Sequence, residues 1–146
     1  MARYEAEFEQ VFDERSFSLA EGYPSGPIPL HAVVGEAAAD PSAAPVAKVA
    51  YDSEQLRIVV SAAASLVTAD GPPWRGGCGV LVNLVMPLSP DEFESRRYVS
   101  YGFYGEGGQP AAALVSRHGE VLQQPAPELA PRIVRDAGRV TYEIEI

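Results

Sequence analysis

Residues 46–60 read VAKVAYDSEQLRIVV, two short apolar segments joined by the polar triplet DSE. In the second segment apolar side chains recur at every other position, at Leu56, Ile58 and Val60. A period of two places them on one face of a β-strand, and the Asp-led triplet is a typical tight turn. The stretch therefore predicts an antiparallel β-hairpin with one apolar face.

Further segments of the same kind accompany this hairpin, separated by turns rich in Gly and Pro. The chain closes with RVTYEIEI, in which Val140, Tyr142 and Ile144 alternate strictly with polar residues. Short strands spaced by roughly 8–12 residues are typical of a β-sandwich or a barrel. The predicted strands are residues 28–34, 46–51, 55–68, 80–85, 97–104, 111–117 and 139–146, with residues 123–132 as a linker. We therefore expect an all-β, antiparallel β-sandwich forming a single domain over residues 1–146.

The charge of the chain limits its partners. Eleven Lys and Arg against twenty Asp and Glu give a formal net charge of -9 at pH 7. Such a surface repels nucleic-acid phosphates and anionic membranes, whereas a neutral ligand such as a sugar is unaffected. The N-terminal segment lacks the apolar stretch that is typical of a signal peptide. No apolar segment approaches the roughly 20 residues that a membrane-spanning helix requires. The single cysteine, Cys78, excludes an intramolecular disulfide and a zinc site built from several cysteines.

Three segments in a fixed order carry a family resemblance: YDSEQLRIVV at 51–60, DGPPWRGGCGVLVNL at 70–84 and VTYEIEI at 140–146. With the aromatic strand between the last two, this order resembles the family 9 carbohydrate-binding modules and their DOMON-like relatives. The resemblance implies a jelly-roll-like β-sandwich of the carbohydrate-binding-module type, often with bound calcium, that performs no chemistry. It implies a neutral plant-type glycan of the xylan or cellulose class as ligand, an extracellular setting and an adjoining catalytic domain.

The chain departs from the family pattern at three points. Cys78 stands where the family carries an acidic residue, which weakens a metal-binding or hydrogen-bonding role for that position. The family continues beyond its last motif, whereas this sequence ends at Ile146, so the domain is expected to be truncated at its C-terminus relative to the family. The family clamps its sugar between two Trp rings, and Trp74 is the single Trp here. A two-Trp clamp is therefore excluded.

Two candidate sugar contacts lie in the loop before the 80–85 strand. Trp74 offers a flat apolar ring with one N–H donor, which suits the C–H-rich face of a pyranose. The alternative is a structural ring that covers one end of the sandwich. Arg75 can fork two N–H groups onto neighbouring hydroxyls, or it can form an ion pair with a carboxylate such as Asp70.

Three further candidates are predicted on strand faces. Tyr98 and Tyr104 lie six residues apart and therefore share one face of the same strand. Asn83 belongs to the neighbouring strand, on the side away from its apolar residues, and can both donate to and accept from a sugar. The alternative for all three is a half-exposed sheet face covered by loops.

A metal and a haem are further cofactor possibilities. Calcium rests on the resemblance alone, with Asp40 or the carboxylates of the triplet at residues 52–54 as oxygen donors. A haem, as in other DOMON-like branches, would use Lys48 and Met86 as axial ligands.

Catalysis is the weakest interpretation of the sequence. Glu143 and Glu145 share a strand face at roughly 7 Å, a separation within the range of glycosidase carboxylate pairs, but acidic residues on an outward strand face are normally solvated. Cys78 is expected to be a buried, unreactive thiol, since nothing brings His31 or His118 to it. We therefore expect a non-catalytic module, with a structural or interaction β-sandwich as the alternative.

Overall fold

The described part of the protein is all-β. The computed structural model describes residues 3–5, 28–29, 31–34, 44–51, 54–85 and 98–146. Every strand pairing within these ranges is antiparallel, so the predicted all-β antiparallel fold class, with the two multi-stranded sheets of a sandwich-like fold, is confirmed. The strands are β1 Arg3–Glu5, β2 Ile28–Pro29, β3 His31–Val34, β4 Val46–Tyr51, β5 Leu56–Ala63, β6 Gly79–Val85, β7 Tyr98–Glu106, β8 Gln109–Arg117, β9 Glu120–Pro125, β10 Arg132–Asp136 and β11 Arg139–Glu145.

The first structural unit comprises residues 1–67 and 132–146 and contains a sheet in the order β10-β11-β5-β4-β2. The predicted hairpin is its centre, because β4 and β5 pair with Val49 opposite Ile58. The closing strand β11 lies on the other side of β5 and places Ile144 opposite Ile58. These three side chains form one buried row across the sheet, in which Ile144 is fully buried. Alternation in the sequence therefore selects the core face of this unit, as predicted.

The second unit comprises residues 68–131 and contains a sheet in the order β6-β7-β8-β9. Its core face carries Phe103, which is fully buried, together with the buried residues Val99 on the same strand and Val82, Ala112 and Leu114 on the two adjacent strands. Alternation in the sequence predicts one face with Val80, Val82 and Leu84 on the 80–85 strand and one with Val99, Tyr101 and Phe103 on the 97–104 strand, and the pairing of β6 with β7 brings these two sets to the same side of the sheet.

The predicted linker at 123–132 is wrong in part. Residues up to Pro125 belong to β9, and β10 begins at Arg132. Both strands lie at sheet edges and most of their side chains are exposed, so neither shows an alternating apolar pattern. A positive φ of 50° at Gln123 further interrupts the periodicity of β9.

Several other predictions fall outside the described residues, namely those on Asp40, on the first two residues of the 52–54 triplet and on Met86. Within the described ranges, no helix combines the length and the apolar character needed to traverse a lipid bilayer.

Candidate functional site

One side of the second sheet carries four of the five predicted contact residues. Strand β6 pairs with β7 so that Leu81 lies opposite Gly102 and Asn83 opposite Ser100. Directly opposed residues in an antiparallel pair project on the same side of the sheet. We call this side the Trp74 face, and it consists of Gly79, Leu81 and Asn83 on β6 and Tyr98, Ser100, Gly102 and Tyr104 on β7, with Trp74 lying over it.

The loop at residues 70–78 is held in place by its own hydrogen bonds. Pro73–Arg75 forms a single 3₁₀ turn, which begins with a proline and ends at Gly76, where φ is 82°. The backbone N–H of Gly77 donates to the carbonyl of Pro72 over 3.0 Å. At the start of the loop, the carboxylate of Asp70 accepts the backbone N–H of Gly107 at 2.7 Å. The loop is thus held by hydrogen bonds on both sides of Trp74.

The Trp74 ring rests on a glycine in the middle of β7. A Cβ placed on Gly102 would meet Trp74 Cζ3 at 2.4 Å and Cη2 at 3.0 Å, so the six-membered ring occupies the space that a side chain would take. Aromatic cover of a strand glycine restores packing that the glycine itself cannot supply. Trp74 remains half-buried, and its indole nitrogen lies on the opposite side of the ring from Cζ3. Among the described residues that N–H has no hydrogen-bond partner.

Tyr104 and Arg75 lie at the same end of the face. The Tyr104 ring meets the indole edge-on, with centroids 5.5 Å apart and planes at 87°, a favourable geometry for two aromatic quadrupoles. Burial raises the pKa of the Tyr104 phenol, Glu106 raises it further, and Arg75 opposes both. The phenol is therefore a neutral donor at physiological pH.

Arg75 itself is exposed to solvent. Asp70, the carboxylate named as an example of an ion-pair partner for Arg75, does not form that pair. Asp70 uses its carboxylate to hold the turn at Gly107 instead. Within the described ranges, the guanidinium of Arg75 forms no ion pair.

Asn83 and Tyr98 lie toward the opposite end of the face. The Ser100 hydroxyl donates to Asn83 Oδ1 at 2.5 Å, which orients the exposed amide and leaves its NH₂ group directed away from Ser100. Tyr98 is half-buried, and its hydroxyl lies near the β8–β9 turn, 3.6 Å from the position of a Cβ on Gly119. Six residues of extended strand separate Tyr98 from Tyr104, or about 20 Å. The predicted residues thus form two clusters, with Leu81 between them.

Leu81 and Gly102 are members of this face that the sequence analysis missed. Leu81 is 47% exposed, unusual for a large apolar side chain in a strand. The signal for Gly102 was available in the sequence, because a glycine inside a strand often marks a close approach by another group.

The residues considered for catalysis are engaged elsewhere. Glu145 forms an ion pair with Arg57 at 2.6 Å, and Glu143 forms one with Arg132 at 3.3 Å. These cross-strand pairs hold both carboxylates along the sheet. Cys78 is buried, as expected.

Metal and haem ligation gain no support within the described ranges. No group of three or more His, Cys, Asp or Glu side chains there could hold a metal ion. Lys48 is exposed on β4.

Comparison with known proteins yields no relative for this chain: no protein-family model, curated protein or solved structure matches it.

The contact between Trp74 and Gly102 leads to a spectroscopic prediction. In Gly102→Ala the new methyl group expels the ring from its seat, because Cζ3 lies only 2.4 Å from the Cβ position. Trp74 is the only Trp, so the protein's tryptophan fluorescence reports this site alone. We expect the emission maximum to shift to longer wavelength as the indole enters water.

Gly138→Ala, in the turn between β10 and β11, is the control for this measurement, because a Cβ there has nothing within 4 Å and the strain at its φ of 77° falls on the first unit and not on the loop at residues 70–78. Its emission should match that of the unmodified protein. An unchanged emission maximum in Gly102→Ala would contradict the contact.

Proposed function

We propose that this chain is a non-catalytic carbohydrate-binding module that recognises a neutral plant-type glycan, of the xylan or cellulose class, through its Trp74 face. The observation that carries the proposal is the half-buried indole, seated on Gly102 and braced by Tyr104. A ring held by backbone contacts loses little conformational freedom when it stacks on a sugar, which favours binding.

The polar groups around the indole suit a ligand rich in hydroxyls. The exposed Arg75 guanidinium supplies a forked donor next to the ring, and the Asn83 amide, oriented by Ser100, supplies donors further along. Tyr98 adds a half-buried ring and a hydroxyl at the far end. With the two clusters about 20 Å apart along β7, the face suits an oligosaccharide better than a single sugar.

The test is calorimetric titration with xylo- and cello-oligosaccharides of increasing length. A face with one fixed ring and several weak hydrogen bonds should bind in the micromolar to millimolar range, roughly -8 to -4 kcal/mol. Trp74→Ala should weaken binding at least about tenfold, or 1.4 kcal/mol.

Tyr101→Leu is the matched control, because Tyr101 is a half-buried aromatic residue on the opposite side of the same strand. It should bind like the unmodified chain. Absence of heat with every glycan, or equal affinities for Trp74→Ala and Tyr101→Leu, would refute the proposal.

A structural or interaction module is the second candidate. It is favoured by the burial of Tyr104 and by the role of Trp74 as cover for Gly102, both of which stabilise the sheet without any ligand. This candidate predicts that Trp74→Ala destabilises the fold while no glycan binds.

A further inference from the structure

The edges of the two larger sheets differ in how they are protected. Exposed edge strands tend to pair with other chains, and natural proteins discourage this with charges, prolines and bulges. Edge strand β10 carries three charged residues in RIVRD, and β2 contains Pro29. Edge strand β9 combines Glu120, a positive φ at Gln123 and Pro125. Three of these four edges therefore carry such a feature.

The fourth edge, β6, lacks all of them. Its sequence GVLVNLV has no charge and no proline, and all seven of its residues pair regularly with β7. Within the described part of the chain, its backbone makes no hydrogen bond on the side away from β7. Leu81, in the middle of the strand, is 47% exposed. Of the four edges, this one carries none of the features that discourage pairing with another strand.

We propose that β6 pairs antiparallel with β6 of a second copy of the chain, forming a homodimer with one continuous sheet. The choice of a second β6 as the partner strand rests on the sequence of β6 itself. A two-fold axis perpendicular to the sheet keeps each side chain on its own face, so one residue must lie opposite itself. Centring the pair on Val82 engages all seven residues of β6.

The side-chain pairs in this register are compatible on both faces. On the core side Val82 lies opposite its copy and Val80 opposite Leu84, so apolar side chains extend the apolar face. On the Trp74 face Leu81 lies opposite Asn83. The absence of charge in β6 removes any like-charge pair across the axis, which matters in a chain of net charge -9.

The same symmetry places the Trp74 faces of the two copies on the same side of the joined sheet. This consequence rests on the proposed function: the dimer would hold a polysaccharide at two sites and gain avidity. The dimer itself does not depend on sugar binding, so its test is separate.

The experiment measures the mass of the intact chain by sedimentation equilibrium at concentrations between roughly 1 and 500 μM. We expect a monomer–dimer equilibrium, and we expect Leu81→Lys to raise the dissociation constant at least about tenfold, because it places one lysine from each copy next to the two-fold axis of the new pair. The matched control is Val121→Lys, an exposed apolar residue on the opposite edge of the same sheet. It should dimerise like the unmodified chain.

A cross-linking experiment keeps the proposal testable if Leu81→Lys does not fold. Two proteins, Leu81→Cys and Asn83→Cys, each also carrying Cys78→Ser, are mixed and oxidised. The proposed register predicts a disulfide-linked mixed dimer in excess over either self-linked species. An unmodified chain that stays monomeric throughout, a Leu81→Lys protein that dimerises normally, or the absence of the mixed dimer would overturn the proposal.

Discussion

Replacing Gly77 by alanine lowers the free energy of unfolding by about 3 kcal/mol or more, the size reached when overpacking forces the backbone to move. A Cβ at this position would lie 1.9 Å from the carbonyl oxygen of Gly71 and 2.9 Å from that of Asp70. Both are backbone atoms, so no change of rotamer relieves the clash. The strain falls on the loop that positions Trp74.

Gly76→Ala is the control for Gly77→Ala, one residue away. A Cβ on Gly76 has nothing within 4 Å, and the cost of the substitution is that of the left-handed backbone at φ 82°, about 1–2 kcal/mol. Chemical denaturation of the two variants should show a clear separation of their midpoints. Equal midpoints would mean that residues 70–77 do not pack as described.

Phe103→Ala should destabilise the protein by about 3–5 kcal/mol. Phe103 is fully buried on the core side of β7, and truncation to alanine removes its apolar contacts and leaves a cavity. Equilibrium denaturation monitored by circular dichroism measures the loss. A loss at the upper end of this range equals the whole free energy of unfolding of the least stable ordinary domains, about 5 kcal/mol.

The control variant for Phe103→Ala is Leu81→Ala, because Leu81 lies on the neighbouring strand β6 and on the opposite face of the sheet. Leu81 is 47% exposed, so its truncation should cost less than about 1 kcal/mol. A loss in Phe103→Ala no larger than that in Leu81→Ala would contradict the assignment of the core side of this sheet.

Strands with two-residue alternation could be predicted from the sequence with accuracy. The hairpin of β4 and β5 and the closing strand β11 lie where their patterns indicate, because one face of each strand is buried. Strands β9 and β10 were not predicted, because neither of them has one face that is clearly buried. At a sheet edge with both faces largely exposed, side chains face no requirement to alternate.

For the candidate site, the sequence predicted which residues share a face but not how deeply they are buried or what they contact. Local spacing placed Tyr98 and Tyr104 on one face and Asn83 on the adjacent strand, and the register of β6 with β7 agrees. It could not show that Tyr104 is buried or that Asp70 holds Gly107 rather than Arg75. Those outcomes depend on contacts between residues that are distant in the chain, such as Trp74 with Tyr104 and Asp70 with Gly107.

By itself, the sequence determined the all-β class, the central hairpin and the inward faces of the main strands, because burial of apolar side chains with a period of two is a local property. Only the tertiary structure decided which glycine supports Trp74, which carboxylates are held in ion pairs and which strands lie at the sheet edges of the described residues. The physical reason is that strand order and register join distant segments. The contact between Trp74 and Gly102 and the edge position of the uncharged strand β6 both depend on how these distant segments pair.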